Sequence, residues 1–228
     1  MSTPVPVGRP RVHLRVTGST NERARELAAA GAPHGTLVTA SEQTAGRGRQ
    51  GRTWTAPAGR ALLCSFVVRD PPRLLSLAAG VAVAEVAGSE AMLKWPNDVL
   101  VAGRKVAGIL VEGRPSERWA VLGVGLNVAL REEDLLPGAG TLGLGPEDVE
   151  AILGELVVAL ARWLAAPADE VLDAVRARDA LRGQPVRWAH GAGRGAGIDA
   201  DGRLLVSTDE GEMALDAGEV HLVLQNDL

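Results

Sequence analysis

Two hydrophobic periods alternate along the chain, and the switches between them mark its elements. Residues 12–16 alternate apolar and polar positions and predict a short first strand. Ser19-Thr20-Asn21-Glu22 then has the spacing of a capping box, with Ser19 as N-cap and Glu22 at the third helical position. The helix it starts carries Ala24, Leu27 and Ala28 on one face and is ended by Gly31 and Pro33. A β-branched run predicts a strand over 36–41, and a continuous apolar run predicts another over 62–68. An apolar helix is predicted over 74–87, stopped by Gly88. Strands follow over 91–95, 104–112 and 119–128, and residues 99–101 with the Ala102-Gly103 turn make the second of these half of a hairpin. Pro146 suits the start of a helix that reaches position 166, and a further helix covers 168–181. Beyond Gly183 the helical period disappears. Short strands are predicted over 186–188, 195–199, 204–207, 212–215 and 219–224, with turns such as Asp201-Gly202 between them. This is a small β-barrel or sandwich appended to a domain that mixes strands and helices.

Composition narrows what the chain does. Its 228 residues, 46% of them apolar, suit one substantial domain over 1–182 and a small one over 183–228. There is one Phe, no Tyr and five Trp, so the core is built from Val, Leu and Ala, and a catalytic tyrosine is excluded. A net charge of −4 argues against a dedicated nucleic-acid binder. Cys64 is the only cysteine, which excludes an intrachain disulfide and a cysteine zinc cluster. Its place in the apolar run 61–68 marks it as a buried small hydrophobe. No apolar run is long enough to span a bilayer and residues 1–10 have no signal-peptide pattern, so a cytoplasmic protein with no membrane association is expected.

The most informative segment is Gly46-Arg47-Gly48-Arg49-Gln50-Gly51-Arg52, inside a loop over 44–59 too rich in Gly and Arg for regular structure. Glycine lets backbone approach a ligand closely, and the arginines between supply forked donors for phosphate or carboxylate. The pattern implies a mobile anion cradle whose closure is coupled to ligand, because ordering a loop costs about 1–2 kcal/mol per residue. It also fits G-x-G-x-x-G, but that motif opens a helix and here Arg52-Thr53-Trp54-Thr55-Ala56-Pro57 follows. A disordered Arg-Gly tract is normally repeated, and this one occurs once. Lys94-Trp95-Pro96-Asn97-Asp98 ends a strand in a turn, a place where α/β sheets carry chemistry, though taken alone it reads as an ordinary Pro-Asn-Asp turn. Lys105 opens an apolar strand and could point at solvent or into a site; taken alone, it is read as pointing to solvent. Gly123 and Gly125 leave room in a strand for a flat ligand, or mark a bulge.

Together, Ser19-Thr20-Asn21, Gln43 with the Gly-Arg loop, Lys-Trp-Pro-Asn-Asp, Arg104-Lys105-Val106-Ala107-Gly108-Ile109-Leu110-Val111-Glu112 and Gly123-Val124-Gly125-Leu126-Asn127 resemble biotin protein ligase, in that family's order, from about Val12 to Val128. The resemblance implies an α+β fold: a mixed, largely antiparallel sheet packed with helices, of class II aminoacyl-tRNA synthetase-like type, plus a small C-terminal SH3-like β-barrel. It implies biotin and ATP as substrates, Mg²⁺, and a biotin carboxyl carrier protein as partner. Ser19, Thr20, Asn21 and Gln43 would surround the polar head of biotin, with Gly48, Gly108 and Leu110 contacting biotin through backbone. Arg47, Arg49 and Lys105 would act on its carboxylate and on the ATP phosphates. Arg52, Trp54, Lys94, Asn97 and Asn127 would join Arg49 around ATP, with Trp54 over the adenine. Asp98 would position a metal or the acceptor lysine. Gln50 stands where the family commonly has arginine, and the stretch Gly59-Arg60-Ala61-Leu62-Leu63 lacks the Asn and Tyr often found there.

The implied chemistry is attack of the biotin carboxylate on the ATP α-phosphate, then capture of the acyl-adenylate by a lysine amine. A lipoate-attaching ligase on the same scaffold and, in a different class, a nucleic-acid-binding module are the rivals. About ten residues precede the first strand, too few for a helix-turn-helix unit, so an enzyme without repressor activity or DNA binding is expected. A free sheet edge would allow a homodimer.

Overall fold

The computed structural model describes residues 7–113, 117–216, 218 and 220–222. Seven strands form the larger sheet: β1 (Arg11–Thr17), β2 (Leu37–Gln43), β3 (Ala61–Arg69), β4 (Met92–Lys94), β5 (Asp98–Val101), β6 (Arg104–Gly113) and β7 (Trp119–Asn127). Their order is β1-β2-β3-β7-β6-β5-β4. Only β1 and β2 pair in parallel, and every other neighbour is antiparallel. The sheet is thus mixed and largely antiparallel. Helix α1 (Thr20–Ala29) connects the parallel pair. Helices α2 (Leu75–Ala87), α3 (Val149–Ala165) and α4 (Ala168–Ala177) complete the mixed layer.

Side chains alternate across a strand, so each strand serves two faces. On one face Leu62, Cys64, Phe66 and Val68 of β3 join Leu122, Val124 and Leu126 of β7 in the main core, beneath α2 and α3. On the other, Val67 and Val121 pack against Ala24 and Ala28 of α1. Both faces of β3 are covered, which explains its apolar run, broken only by Ser65 before the terminal Arg69. Burying one such side chain as large as Phe66 contributes about 1.5–3 kcal/mol.

The C-terminal strands are β8 (Pro185–Trp188), β9 (Gly191–Ile198), β10 (Leu204–Thr208), β11 (Gly211–Leu215) and β12 (His221–Leu222), in one antiparallel sheet ordered β11-β10-β9-β8-β12. Among the described residues nothing pairs β11 with β12, so this is a five-stranded sheet without the closing pair of a barrel. Much of the strand predicted over 219–224 lies outside the described residues, as do residues 1–6 of the N-terminal segment. The sheet is not isolated: Val186, Ile198, Leu204, Val206 and Val220 belong to the same apolar core as α2 and β7. Its Asp199–Arg203 turn docks on the larger unit, where Arg73 pairs with Asp201 at 2.7 Å and the Trp95 indole N–H donates to the Gly202 carbonyl at 3.0 Å.

Three local expectations change. Ser19 is the N-cap of α1, yet neither it nor Glu22 forms the capping box. The first helical N–H, that of Thr20, instead donates to Gln43 Oε1 at 2.7 Å, while Glu22 pairs with Arg47. Helix α4 ends at Ala177 rather than at 181, because Arg178 and Ala180 leave the helix to exchange backbone hydrogen bonds with Leu93 of β4. Strand β4 is only Met92–Lys94, cut short by the turn at Trp95-Pro96. Among the described residues no helix is long and apolar enough to cross a membrane.

Candidate active site

A solvent-open cleft of about 920 Å³ lies on the α1 side of the larger sheet. Its walls come from the start of α1, the end of β2, the Gly-Arg loop, the turn between β4 and β5, and the middle of β6 and β7. Every candidate residue except Asn127 lines it: Ser19, Thr20, Asn21, Gln43, Arg47, Gly48, Arg49, Arg52, Trp54, Lys94, Asn97, Asp98, Lys105, Gly108 and Leu110. Asn127, two residues beyond Gly125 on β7, is buried and donates to the Gly140 carbonyl at 2.9 Å. That bond braces the 139–142 segment and leaves Asn127 Oδ1 buried without a hydrogen-bond partner among the described residues.

One end of the cleft is neutral and polar. Thr20 donates its backbone N–H to Gln43 Oε1 at 2.7 Å, and its hydroxyl oxygen stands 3.0 Å from the same atom. Behind them stands Ser65 of β3, fully buried, with Oγ 2.8 Å from Thr20 Oγ1 and 2.6 Å from Asn21 Oδ1. Asn21 in turn donates to Glu112 at 2.7 Å. Sequence reasoning missed Ser65 and Glu112. The usable signal was Ser65 itself, the only hydroxyl in an apolar strand covered on both faces.

The other end is cationic. The Gly-Arg loop is a compact excursion: Gly48 N–H donates to the Arg52 carbonyl at 2.7 Å, Trp54 N–H to the Gly46 carbonyl at 3.0 Å, and Arg52 N–H to the Arg49 carbonyl at 3.1 Å across a tight turn. Gln50 holds a left-handed φ of 53° at its tip. A Cβ on Gly46 would stand 2.3 Å from the Trp54 carbonyl oxygen, so only glycine lets the two arms of the loop meet. Arg49 Nη1 donates to Asn97 Oδ1 at 3.1 Å, and Asn97 is itself locked to β6 by exchanging two 2.9 Å bonds with Ile109. The loop is therefore docked on the Lys-Trp-Pro-Asn-Asp turn. The pairing of β5 with β6 brings Lys105 Nζ to 2.6 Å from Asp98 Oδ1, while Lys94 Nζ stands 3.7 Å from Oδ2. Lys105 thus points into the cleft, and Asp98 is the counter-ion of two lysines.

The room left by the strand glycines is filled by protein. Gly108 pairs with Gly125 across β6 and β7, and the Trp54 indole lies on that bare patch. A Cβ on Gly125 would be 2.5 Å from the ring, and one on Gly123 would be 2.1 Å from Asn21 Oδ1. The flat group over these glycines is Trp54, with Lys105 Nζ 5.8 Å from its ring centroid. The indole N–H is buried without a hydrogen bond.

Comparison with known proteins agrees with this geometry. Residues 13–128 match the model of the biotin/lipoate A/B protein ligase family. The chain is 38% identical over 230 residues to the biotin–[acetyl-CoA-carboxylase] ligase of Mycobacterium tuberculosis, covering 90% of this chain and 85% of that one. It is 34% identical to the enzyme of the same name from Paracoccus denitrificans, covering 91% and 98%. A biotin protein ligase from Aquifex aeolicus, solved with biotin and ATP, superposes with a TM-score of 0.77 at 26% identity, over 94% of this chain and all of that one. Fold, cleft and matched sequence together make this chain a member of the biotin/lipoate A/B protein ligase family.

Proposed function

We propose that this chain is an ATP-dependent biotin protein ligase, which forms biotinyl-5′-AMP and transfers the biotinyl group to a lysine of a biotin carboxyl carrier protein. The observation that carries this reading is a single cleft with hydroxyl and amide groups at one end and Arg47, Arg49, Lys94 and Lys105 at the other. That layout suits a ligand with a neutral polar head and a carboxylate tail that must meet a triphosphate. In the same reading residues 1–182 are the catalytic unit and 183–228 an SH3-like unit.

In the first step a biotin carboxylate oxygen bonds to the α-phosphorus of ATP, and the bond to pyrophosphate breaks. Both reactants are anions, so the barrier is largely electrostatic. Lys105, Arg47 and Arg49 offset the repulsion, and groups already held in place do so without reorganising during the reaction. Asn97 holds Arg49 and Asp98 holds Lys105. In the second step an acceptor amine attacks the acyl carbon, the amide forms, and AMP leaves with the electron pair. The amine must shed a proton, and Asp98 is the carboxylate on the cleft wall that can orient it.

A dedicated magnesium site does not fit these residues. The Asp98 oxygens are engaged by Lys105 and Lys94, and no group of three His, Cys, Asp or Glu suited to a metal occurs among the described residues. Magnesium commonly arrives on nucleotide phosphates, which needs few protein ligands.

The test is to give purified protein α-labelled ATP, magnesium and either biotin or lipoate. Biotin-dependent pyrophosphate release with a labelled acyl-adenylate, then biotin amide on a carrier-domain lysine, is the expected result. Equal turnover with lipoate, or no adenylate with either acid, overturns the proposal.

A further inference from the structure

Under the neutral end of the cleft runs a chain of polar side chains: Gln43, Thr20, Ser65, Asn21, Glu112. Its two amides are oriented by neighbours that have only one hydrogen-bonding role. The Thr20 backbone N–H can only donate, so Gln43 presents Oε1 to it, at 2.7 Å. The Leu110 carbonyl can only accept, at 3.4 Å from Asn21 Nδ2, and an ionised Glu112 can only accept, at 2.7 Å. Asn21 therefore turns its NH₂ towards β6 and its Oδ1 towards Ser65. Three oxygen–oxygen contacts remain: Asn21 Oδ1 to Ser65 at 2.6 Å, Ser65 to Thr20 at 2.8 Å, and Thr20 to Gln43 Oε1 at 3.0 Å. Both ends are carbonyl oxygens, and only the two hydroxyls between them bring protons. Two protons serve three contacts, so the chain is one donor short and this end of the cleft has surplus acceptors.

We propose that Glu112 and Ser65, neither of which lines the cleft, are positioning residues that make its neutral end selective for ligand N–H donors. Glu112 does this by fixing the Asn21 amide, and Ser65 by relaying that orientation to Thr20. Gly123 belongs to the same device, since Asn21 Oδ1 occupies the space a side chain there would take. Under the ligase reading, on which this inference rests, the donors are the two N–H groups of the cyclic urea of biotin. The sulfur ring and the acyl chain bring none. A ligand carrying only acceptors at its head is disfavoured at this end.

The experiment compares wild type with Glu112→Gln and Ser65→Ala, using calorimetric affinity for biotin and for biotin methylated on a urea nitrogen, the KM for ATP, and the thermal midpoint. A glutamine amide nearly matches the carboxylate in shape and can donate or accept, so it frees Asn21 to turn over. The expected result for Glu112→Gln is about tenfold weaker biotin binding, the weight of one well-aligned hydrogen bond, with the KM for ATP unmoved. The penalty for urea methylation shrinks in Glu112→Gln, and its thermal midpoint does not fall. Ser65→Ala loses both affinity and thermal midpoint. Unchanged biotin affinity and an unchanged methylation penalty in Glu112→Gln overturn the inference. Should wild type bind no biotin, the ligase reading fails, and the midpoints then judge the network alone. A fall in Glu112→Gln as large as that in Ser65→Ala overturns it.

Discussion

Gly125→Ala is the sharpest perturbation the cleft allows. A Cβ at this position meets the Trp54 indole at 2.5 Å from Cε2 and 2.9 Å from Cδ2 and Cζ2. Unstrained carbon contacts sit near 3.5–4.0 Å, so something must move by about 1 Å. The position lies in β7 between β3 and β6 with its ladder complete on both sides, so the sheet holds and the indole gives way. Trp54 is on the Gly-Arg loop, anchored by its N–H to the Gly46 carbonyl. Lifting the ring therefore lifts the segment that carries Arg47 and Arg49. Overpacking typically costs 1–3 kcal/mol, and a half-exposed ring that can tilt puts this site at the low end, about 1 kcal/mol. The catalytic cost is larger, since a misplacement of about 1 Å in a positioned group loses up to about 10²-fold in rate. Pyrophosphate release under saturating biotin and ATP, beside a thermal melt, reads both. The expected outcome is a fall of ten- to a hundredfold in adenylation with a small change in midpoint. Gly123→Ala is the contrast: its Cβ strikes Asn21 Oδ1 in a buried site, so stability falls first. Wild-type adenylation by a folded Gly125→Ala protein refutes the idea that the seat of Trp54 controls the loop.

Three further outcomes follow from the same geometry. Lys105→Ala lowers adenylate formation on the order of 10²–10³-fold, the usual loss for one preorganised group at a developing charge, and near wild-type pyrophosphate release excludes that role. The Cys64 thiol, fully buried and with its pKa pushed up by that burial, stays unlabelled by a thiol reagent at pH 8 until the protein is unfolded; rapid labelling of the native state contradicts the packing of β3. Burial raises the Asp179 carboxyl above its ordinary value, so its favourable protonated form is fully present only at acid pH and is lost as pH rises through the folded value. Asp179→Asn keeps an acceptor for the Leu181 N–H and removes the buried charge, so its thermal midpoint at pH 7 equals or exceeds wild type, with the advantage shrinking towards acid; a clear loss at pH 7 contradicts this.

What the sequence made legible follows from how local each signal is. Strands β2, β3, β6 and β7 were readable because their apolar runs are dictated by burial, and the hairpin at Ala102-Gly103 because both residues take positive φ. The cleft residues were named from motifs, yet what each touches is set by distant partners. Ser19 and Glu22 have capping-box spacing, but Gln43 from another strand takes the helix N-terminus and Arg47 takes Glu22. Gly123 and Gly125 announced open space, and spacing alone does not tell that Asn21 and Trp54 fill it. Asp98 and Lys105 sit in separate motifs, and only the β5–β6 register joins them. Asn127 has the polarity of a ligand contact, and spacing does not tell that its NH₂ is bound to the Gly140 carbonyl while its Oδ1 has no partner among the described residues. Glu112 was visible only as the last residue of a motif, because its role depends on Asn21 reaching across from α1.

The central claim is that one molecule spans the cleft, head among the oxygens of Thr20 and Gln43, acid end among Lys105 and the loop arginines. A crystal structure with a stable phosphate-ester analogue of biotinyl-5′-AMP measures this directly. The expected density has the urea ring against Thr20 and Gln43 and the phosphoryl oxygens within hydrogen-bond reach of Lys105 Nζ. A reversed pose, or a phosphoryl group seated away from Lys105, contradicts the account.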